Sequence, residues 1–195
     1  SLPNLKLIHS KGAGIDHLST DPDLPAGIPV VRLVDRSARL LMTQYVVLAA
    51  LRHHRLMGHY AAAQAEGKWQ QLPPPDTEKT TVTVLGLGAL GKDVAPMLGA
   101  LGFHVIGWSR GPKDNIPGVE CVHGAEALPS VLAQSRILVC LLALTDETRD
   151  IINARTLAAL PRGAYVINPA RGAHVVDDDL VAALDSGHIA GATLD

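Results

Sequence analysis

The spacing of apolar and polar positions predicts a regular alternation of strands and helices from residue 80 onward. Short apolar or β-branched runs bounded by turn residues have the length of buried strands, and stretches with a period near 3.6 residues indicate helices. The predicted strands are Thr80–Leu85, Phe103–Trp108, Val119–Val122, Ile137–Leu142, Ala164–Asn168 and Ala190–Leu194, and the predicted helices are residues 89–101, 125–133, 146–160 and 177–186. This alternation predicts the α/β class, with a doubly wound parallel sheet.

The first 79 residues have a different pattern. Leu5–His9 and Pro29–Val34 predict two strands, too few for a self-sufficient sheet. Ser37–Gly67 has apolar residues at helical spacing with Ser37 as the expected N-cap, and its length fits either two helices or one long spacer. Leu72–Pro75 predicts a stiff linker between this helical segment and the alternating region.

A glycine motif, Gly86-x-Gly88-x-x-Gly91, lies between the predicted strand and helix. Gly86 permits a tight turn, Gly88 lets the backbone approach a pyrophosphate, and Gly91 lets helix and strand pack closely. The free N–H groups of the helix start favour phosphates. In this context the motif predicts a Rossmann dinucleotide-binding domain; the alternative is a glycine-rich turn without a ligand.

Composition narrows the classes of function. The net charge of −2, with both signs dispersed, gives no indication of a nucleic-acid partner or an anionic membrane. The longest apolar run, Ile137–Leu144, is far shorter than the ~18 residues of a membrane helix. Cys121 and Cys140 have no metal-type spacing, which favours reduced thiols in a cytoplasmic protein. The histidines of Arg52–Arg55 and His59 lack a neighbouring carboxylate or cysteine, so we expect a solvated or subunit-facing stripe.

Arg110 decides the expected cofactor. Trp108, Ser109 and Arg110 end the second predicted strand of the alternating region, with Lys113 close behind, where an NAD site places an acid for the ribose 2′-OH. The first acid is Asp114, inside a loop. Because a guanidinium forks onto phosphate oxygens, we expect NADP(H) in preference to NAD(H). A solvated basic loop is the alternative.

Two further segments carry candidate anion-binding groups. Arg171 comes after the strand Ala164–Asn168 and is placed to clamp a carboxylate, unless it is a surface partner of Asp177 or Asp178. The loop from Gly12 to Gly14 can offer backbone N–H groups to an anion, although the pattern by itself favours a plain turn.

Five ordered motifs together resemble the D-isomer-specific 2-hydroxyacid dehydrogenases. They are Gly-Ala-Gly-Ile-Asp (12–16), the glycine motif (86–91), Leu-x-Leu-Thr-Asp-Glu-Thr (142–148), Asn-Pro-Ala-Arg-Gly (168–172) and Gly-Ala-Thr-Leu-Asp (191–195). Residues 6–17, the long helix and Trp108-Ser109-Arg110 are most similar to the glyoxylate/hydroxypyruvate reductase branch. The resemblance covers essentially the whole chain and implies an oxidoreductase that reduces a small 2-oxo acid to a D-2-hydroxy acid with NAD(P)H.

The resemblance also implies roles for particular residues. Arg171 would bind the carboxylate and carbonyl oxygen and polarise the carbonyl, while the backbone of Gly12, Ala13 and Gly14 would hold the carboxylate. The residues implied to contact the cofactor are Met42, Gly86, Gly88, Ala89, Leu90, Gly91, Trp108, Ser109, Arg110, Lys113, Leu142, Ala143 (where the family usually has proline), Leu144, Thr148, Pro169, Ala170 and Asp195. No metal is implied.

The domain organisation is implied by the same resemblance. Residues 1–36 would be part of a flavodoxin-like substrate domain, 37–71 a linking helix and dimerisation arm, and 72–195 an incomplete dinucleotide-binding domain. A homodimer is therefore expected. The family's general-acid His and its Glu would fall downstream of Asp195, so we expect a piece of a longer protein with negligible turnover by itself.

Two alternative functions remain open at this point. The lack of a general acid favours a non-catalytic dinucleotide-sensing module of the corepressor kind. Another dehydrogenation, of phosphoglycerate or formate, is the second alternative. Phosphoglycerate dehydrogenases usually favour NAD, against Arg110, and formate oxidation usually adds an asparagine that we cannot place.

Overall fold

A computed structural model of the chain describes residues 4–12, 14–15, 18, 21–33 and 35–195. The chain divides into two compact units, Ser1–Leu41 and Met42–Asp195. In the first unit, strands β1 (Ile8–Ser10) and β2 (Val30–Arg32) pair in parallel. Both strands predicted there are present but shorter, and Val34, the predicted end of the second, lies outside the described residues.

The predicted long helix is two helices, α1 (Arg36–His54) and α2 (Met57–Ala65). The break falls at Leu56, whose φ of 56° is the left-handed conformation that ends a helix. The prediction of Ser37 as N-cap was wrong. Asp35 has that role, because its carboxylate accepts the N–H of Ala38 at 3.1 Å while Ser37 is already helical.

Six parallel strands form the sheet of the second unit, in the order β5-β4-β3-β6-β7-β8. The strands are β3 (Thr81–Leu85), β4 (His104–Ser109), β5 (Glu120–His123), β6 (Ile137–Cys140), β7 (Ala164–Asn168) and β8 (Ile189–Leu194), and the connecting helices are α3 (Gly91–Ala100), α4 (Leu128–Leu132), α5 (Ala154–Ala159) and α6 (Asp177–Asp185). The chain enters at β3, winds to one edge, and returns to continue from β6 to the other. The predicted doubly wound topology is confirmed.

Apolar cores cover both faces of this sheet. Val82 packs on one face with residues of α1 and α3, while Leu138 and Val166 pack on the other with residues of α5 and α6. Strands β3 and β6 are buried at every position, which is why their sequences are continuous rather than alternating. The buried Thr83 hydroxyl is paired with the hydroxyl of Ser135, so the core contains a satisfied polar contact.

Two predicted helices differ from the structure. The helix expected at residues 125–133 is reduced to the short α4, and of the one expected at 146–160 only α5 is helical. Asp150 has a φ of 55°, which interrupts the chain before α5. Asn153 then caps α5 by accepting the N–H groups of Arg155 and Thr156. None of the helices in the described part of the chain combines the length and hydropathy that a membrane-spanning segment requires.

Candidate dinucleotide site

The turn between β3 and α3 depends on two glycines. Gly86 has a φ of 103°, and a Cβ built on it would lie 2.8 Å from the backbone oxygen of Leu141. A Cβ on Gly91 would lie 2.0 Å from the backbone oxygen of Gly86. Gly88, by contrast, is exposed, and a Cβ there would have no neighbour within 4 Å. The turn is therefore closed against itself and against the segment that follows β6, but it is open at Gly88, as a pyrophosphate site requires.

The parallel sheet brings the other candidate segments to the same edge as this turn. The segments that come after the carboxyl ends of β3, β4, β6, β7 and β8 are Gly86–Gly88, Arg110, Leu142–Leu144, Pro169–Arg171 and Asp195. Ligands of open α/β sheets bind at this edge. The fold thus gathers groups that lie up to 109 positions apart, from Gly86 to Asp195.

The three residues at the end of β4 differ in the burial and the hydrogen bonds of their side chains. Trp108 is buried, and its indole N–H donates to the oxygen of Gly124 at 2.8 Å. The buried Ser109 hydroxyl donates to the oxygen of Gly111 at 2.8 Å. The Arg110 side chain is 82% exposed, so it is the one of the three whose side chain is accessible from solvent. Ala89 and Lys113 are exposed and Leu90 is half-buried; the cofactor contacts of all these residues stay predictions.

Thr148 holds the loop that comes after β6. Its hydroxyl donates to the oxygen of Ala143 at 2.7 Å and accepts the N–H of Thr145 at 2.8 Å. Glu147 of this loop lies with its Oε2 3.9 Å from Nη1 of Arg110. The Thr145 hydroxyl, and after it the backbone and the charge of Arg110, hold the pKa of Glu147 below its usual value, so this side chain is a carboxylate.

Asn168 organises the segment that carries Arg171. Its amide oxygen accepts the N–H of Ala170 at 3.2 Å, and its amide nitrogen donates to the oxygen of Arg171 at 2.8 Å. Pro169 is buried, and the half-buried Arg171 donates through Nη1 to the oxygen of Ala170 at 2.8 Å. The backbone from which the guanidinium extends is therefore fixed by a buried amide.

Sequence reasoning assigned no role to Glu147 or Asn168. Both stand within the motifs that carried the resemblance, but neither results directly from a spacing rule. Only their position in the fold could have identified these two residues from the sequence. Each lies in or beside a loop at the carboxyl edge of the sheet, where a charged or amide side chain merits attention.

Met42 and Asp195 come from opposite ends of the second unit. Met42 is half-buried on α1, one turn before Tyr45, whose hydroxyl donates to the oxygen of Leu194 at 3.3 Å. The N–H of Asp195 donates to the oxygen of Asn168 at 3.1 Å. The Tyr45 contact puts this turn of α1 next to the carboxyl end of β8, and the Asp195 contact ties that end to β7.

The candidate substrate loop belongs to the first unit. The Ser10 hydroxyl donates to the oxygen of Gly12 at 3.1 Å and accepts the N–H of Gly12 at 3.3 Å, which makes a tight turn after β1. Gly14 is half-buried, and Ala13 lies outside the described residues. The role of this backbone in holding a carboxylate stays a prediction.

The histidines of α1 lie at the opposite, amino edge of the sheet. His54 is buried with Nε2 2.8 Å from the Thr77 hydroxyl, and the half-buried His53 stacks on the ring of Tyr165 at 4.2 Å. The expectation of a solvated or subunit-facing stripe was wrong for these two. A cavity of about 510 Å³ opens beside them. Among the described residues, no three His, Cys, Asp or Glu side chains converge as a metal site would require.

Known proteins resemble this chain over nearly all of its length. Residues 47–195 match the family described as D-isomer specific 2-hydroxyacid dehydrogenase, NAD binding domain. The glyoxylate/hydroxypyruvate reductase A of Yersinia enterocolitica is 42% identical over 98% of the chain, and that of Citrobacter koseri is 44% identical over the same share. The chain spans 62% of the length of each of these relatives.

Solved structures agree with these sequence matches. A D-isomer specific 2-hydroxyacid dehydrogenase from Xanthobacter autotrophicus, in complex with NADPH and MES, has a TM-score of 0.94 at 50% identity, over 99% of this chain and 61% of that one. An NADPH-dependent glyoxylate/hydroxypyruvate reductase from Sinorhizobium meliloti, in complex with NADP and sulfate, has a TM-score of 0.93 at 42% identity, over 99% of this chain and 62% of that one.

Proposed function

The chain belongs to the D-isomer-specific 2-hydroxyacid dehydrogenase family, and we propose that it serves the NADPH-dependent reduction of a small 2-oxo acid to a D-2-hydroxy acid. Glyoxylate and hydroxypyruvate are the proposed substrates. The observation that carries the proposal is the meeting of the Gly86 turn, Arg110 and Arg171 at one edge of the sheet. The relatives named for these substrates, and the NADPH-bound neighbour, support it.

The glycine turn and Arg110 would hold the cofactor. The open backbone at Gly88 leaves room for a pyrophosphate, and the positive end of the α3 dipole would stabilise its charge. The exposed guanidinium of Arg110 would clamp the 2′-phosphate that distinguishes NADP(H) from NAD(H). The bound cofactor supplies the hydride.

Arg171 would act on the substrate. A guanidinium binds a carboxylate through two parallel hydrogen bonds and stabilises negative charge on a neighbouring carbonyl oxygen as that charge develops. Asn168 would keep the Arg171 backbone in place during this step. The backbone N–H groups of the loop at Gly12 and Gly14 are proposed as further carboxylate ligands.

The division of labour along the chain is part of the proposal. Residues 1–36 would belong to the substrate domain, 37–71 would link and dimerise, and 72–195 would bind the dinucleotide. The exposed apolar side chains of the middle segment support a homodimer, Trp69 above all at 98% exposure. Light scattering tests it: a dimer that becomes monomeric in Trp69→Ser fits the proposal, and a monomeric parent protein contradicts it.

A cytoplasmic location completes the proposal. Cys121 and Cys140 are both free, and burial raises the pKa of the Cys140 thiol to about 11. Two unpaired thiols are typical of a reducing compartment. Cell fractionation with an antibody tests this location directly.

The decisive test of the function measures NADPH oxidation by this chain within a protein of its relatives' full length, with glyoxylate, hydroxypyruvate or a 3-phosphohydroxypyruvate-type substrate. We expect kcat/KM for the first two to exceed that for the third, and to fall by about 100-fold or more in Arg171→Lys, which keeps the charge but loses the fork. Arg155→Ala, an exposed arginine on α5, is the matched control and should change little. An unaltered rate in Arg171→Lys would contradict the assignment.

A further inference from the structure

An ion pair spans the Gly86 turn. Arg110 comes directly after β4 and Glu147 lies in the loop after β6, with 3.9 Å between Nη1 and Oε2. Strand β3 lies between β4 and β6 in the sheet, so the pair reaches across the carboxyl end of β3, where the glycine turn begins. A dinucleotide bound at this turn would therefore meet both side chains.

We propose that Glu147 weakens the preference for NADP(H) over NAD(H) by competing with the 2′-phosphate of NADP(H) for the guanidinium of Arg110. The inference rests on the proposed function, because it takes Arg110 as the ligand of that phosphate. Without a phosphate the guanidinium faces the carboxylate. To bind, the 2′-phosphate of NADPH must displace the carboxylate from the guanidinium, whereas the neutral 2′-OH of NADH does not need this displacement.

The charges set the direction of the effect. Glu147 is ionised at neutral pH, since its hydrogen bonds and the nearby Arg110 lower its pKa. A phosphate monoester carries about −1.5 to −2 at pH 7. Two anions that share one guanidinium repel each other, and this repulsion is absent when Glu147 is neutral.

The exposure of the pair sets the size of the effect. The Arg110 and Glu147 side chains are 82% and 67% exposed. Exposed ion pairs are weak and screened by salt, so the carboxylate competes with the phosphate without blocking it. Glu147 thus reduces the preference for NADPH, and the reduction is largest at low ionic strength.

The loop keeps Glu147 close to the phosphate position. Thr148 ties the loop to Ala143 and Thr145, and the Thr145 hydroxyl is a hydrogen-bond partner of the Glu147 carboxylate. A carboxylate on an untethered loop could turn away when the cofactor binds. Here the tether keeps the negative charge near Arg110 in both states.

The test is a titration of NADPH and NADH into Glu147→Gln, with Asp146→Asn as the matched control. Both variants neutralise one acid of the same exposed loop, but only Glu147 faces Arg110. We expect Glu147→Gln to tighten NADPH about three- to tenfold at low salt and NADH less than about twofold. The gain should shrink at high salt, and Asp146→Asn should give less than about twofold for either cofactor.

Two further variants, Arg110→Ala and Arg110→Ala/Glu147→Gln, test the phosphate site at Arg110 separately from the competition by Glu147. If Arg110→Ala leaves the ratio of NADPH to NADH affinity unchanged, the proposed phosphate site is wrong. If Arg110→Ala abolishes the preference but Glu147→Gln tightens NADPH no more than Asp146→Asn does, the site stands and the Glu147 inference is overturned. If the inference holds, the gain from Glu147→Gln is smaller in the double variant, because no guanidinium remains to be released.

Discussion

The amino and carboxyl edges of the six-stranded sheet both carry basic side chains, but these are used differently. At the amino edge, Arg136 donates through Nη1 to the oxygen of Arg162 at 2.8 Å, and His54 is bonded to Thr77. At the carboxyl edge, Arg110 faces only a weak contact of 3.9 Å with Glu147 among the ion pairs of the described residues. The first set holds the protein together, whereas the exposed Arg110 is available to a ligand.

The comparison shows that neither cavity volume nor the number of basic groups locates the nucleotide site. The cavity of about 510 Å³ lies at the amino edge, beside His53, His54 and Arg136. The glycine turn lies on the open surface of the other edge. A phosphate needs room beside the backbone at the start of a helix, and the turn from Gly86 to Gly91 leaves that room at Gly88.

The largest expected effect distinguishes two glycines of the same turn. Gly91→Ala places a methyl group 2.0 Å from the Gly86 oxygen, so we expect the free energy of unfolding to fall by about 3 kcal/mol or more and NADPH binding to be lost. Gly88→Ala meets no atom within 4 Å, so stability should be unchanged while NADPH binding weakens. Urea unfolding and NADPH titration of both variants measure this. Equal stability of the two variants would show that the helix can shift away from the turn.

The next effect tests whether the amino edge is purely structural. His54→Leu removes the hydrogen bond to Thr77 and the edge-on contact with Phe103, whose ring centroid is 4.8 Å away. We expect a loss of about 1–2 kcal/mol in the free energy of unfolding and no change in NADPH affinity. Arg110→Ala should do the opposite, with unchanged stability and weaker NADPH binding. If the His54→Leu protein is fully folded and still binds NADPH poorly, the amino edge is not purely structural.

A smaller effect is expected from the loop after β6. Thr148→Val keeps the shape of the side chain but loses the hydroxyl that joins Ala143 to Thr145. We expect NADPH affinity to fall about three- to tenfold and the free energy of unfolding by about 1 kcal/mol, since the loop loses its order more than the core does. Thr148→Ser retains the hydroxyl and should restore binding. If Thr148→Val binds normally, the tether does not matter for the cofactor.

The smallest expected effect is a difference between the two edges in the pH at which their titrating groups lower the stability of the fold. Burial lowers the pKa of His53 and His54, so the folded state binds fewer protons than the unfolded state. Stability should therefore fall as pH decreases from about 6.5 toward the folded pKa values, and should not change from this cause above about 6.5. Glu147, whose pKa is also lowered, contributes stability that is lost only in the acid range below about 4.3.

Two variants test the pH dependence. His53→Phe preserves a ring for stacking on Tyr165 but cannot be protonated, and His54→Leu removes the second titrating group. The melting temperature should fall less between about pH 7 and 5.5 in each variant than in the parent. If the melting temperature of both variants falls with pH as steeply as that of the parent, other groups cause the loss of stability in acid.

Much of the second unit could be predicted because its local patterns agree with its topology. Strand Ala164–Asn168 was predicted to the residue, and the strand, glycine turn and helix around Gly86 were found because three glycines at fixed spacing have few other uses. Helix limits were less predictable. The start at Asp35 rather than Ser37, the break at Leu56 and the turns before Asn153 depend on single backbone conformations that periodicity does not encode.

The sequence by itself determined the fold class, the family and the position of the glycine turn, because strand and helix periods and glycine geometry are local properties of the chain. Only the tertiary structure decided which side chains meet. It brought Glu147 to Arg110, brought the Tyr45 hydroxyl to the oxygen of Leu194, and buried His54 against Thr77. These contacts join residues on different elements, and side-chain distances of a few ångströms across a sheet are fixed by strand order and packing rather than by spacing along the chain.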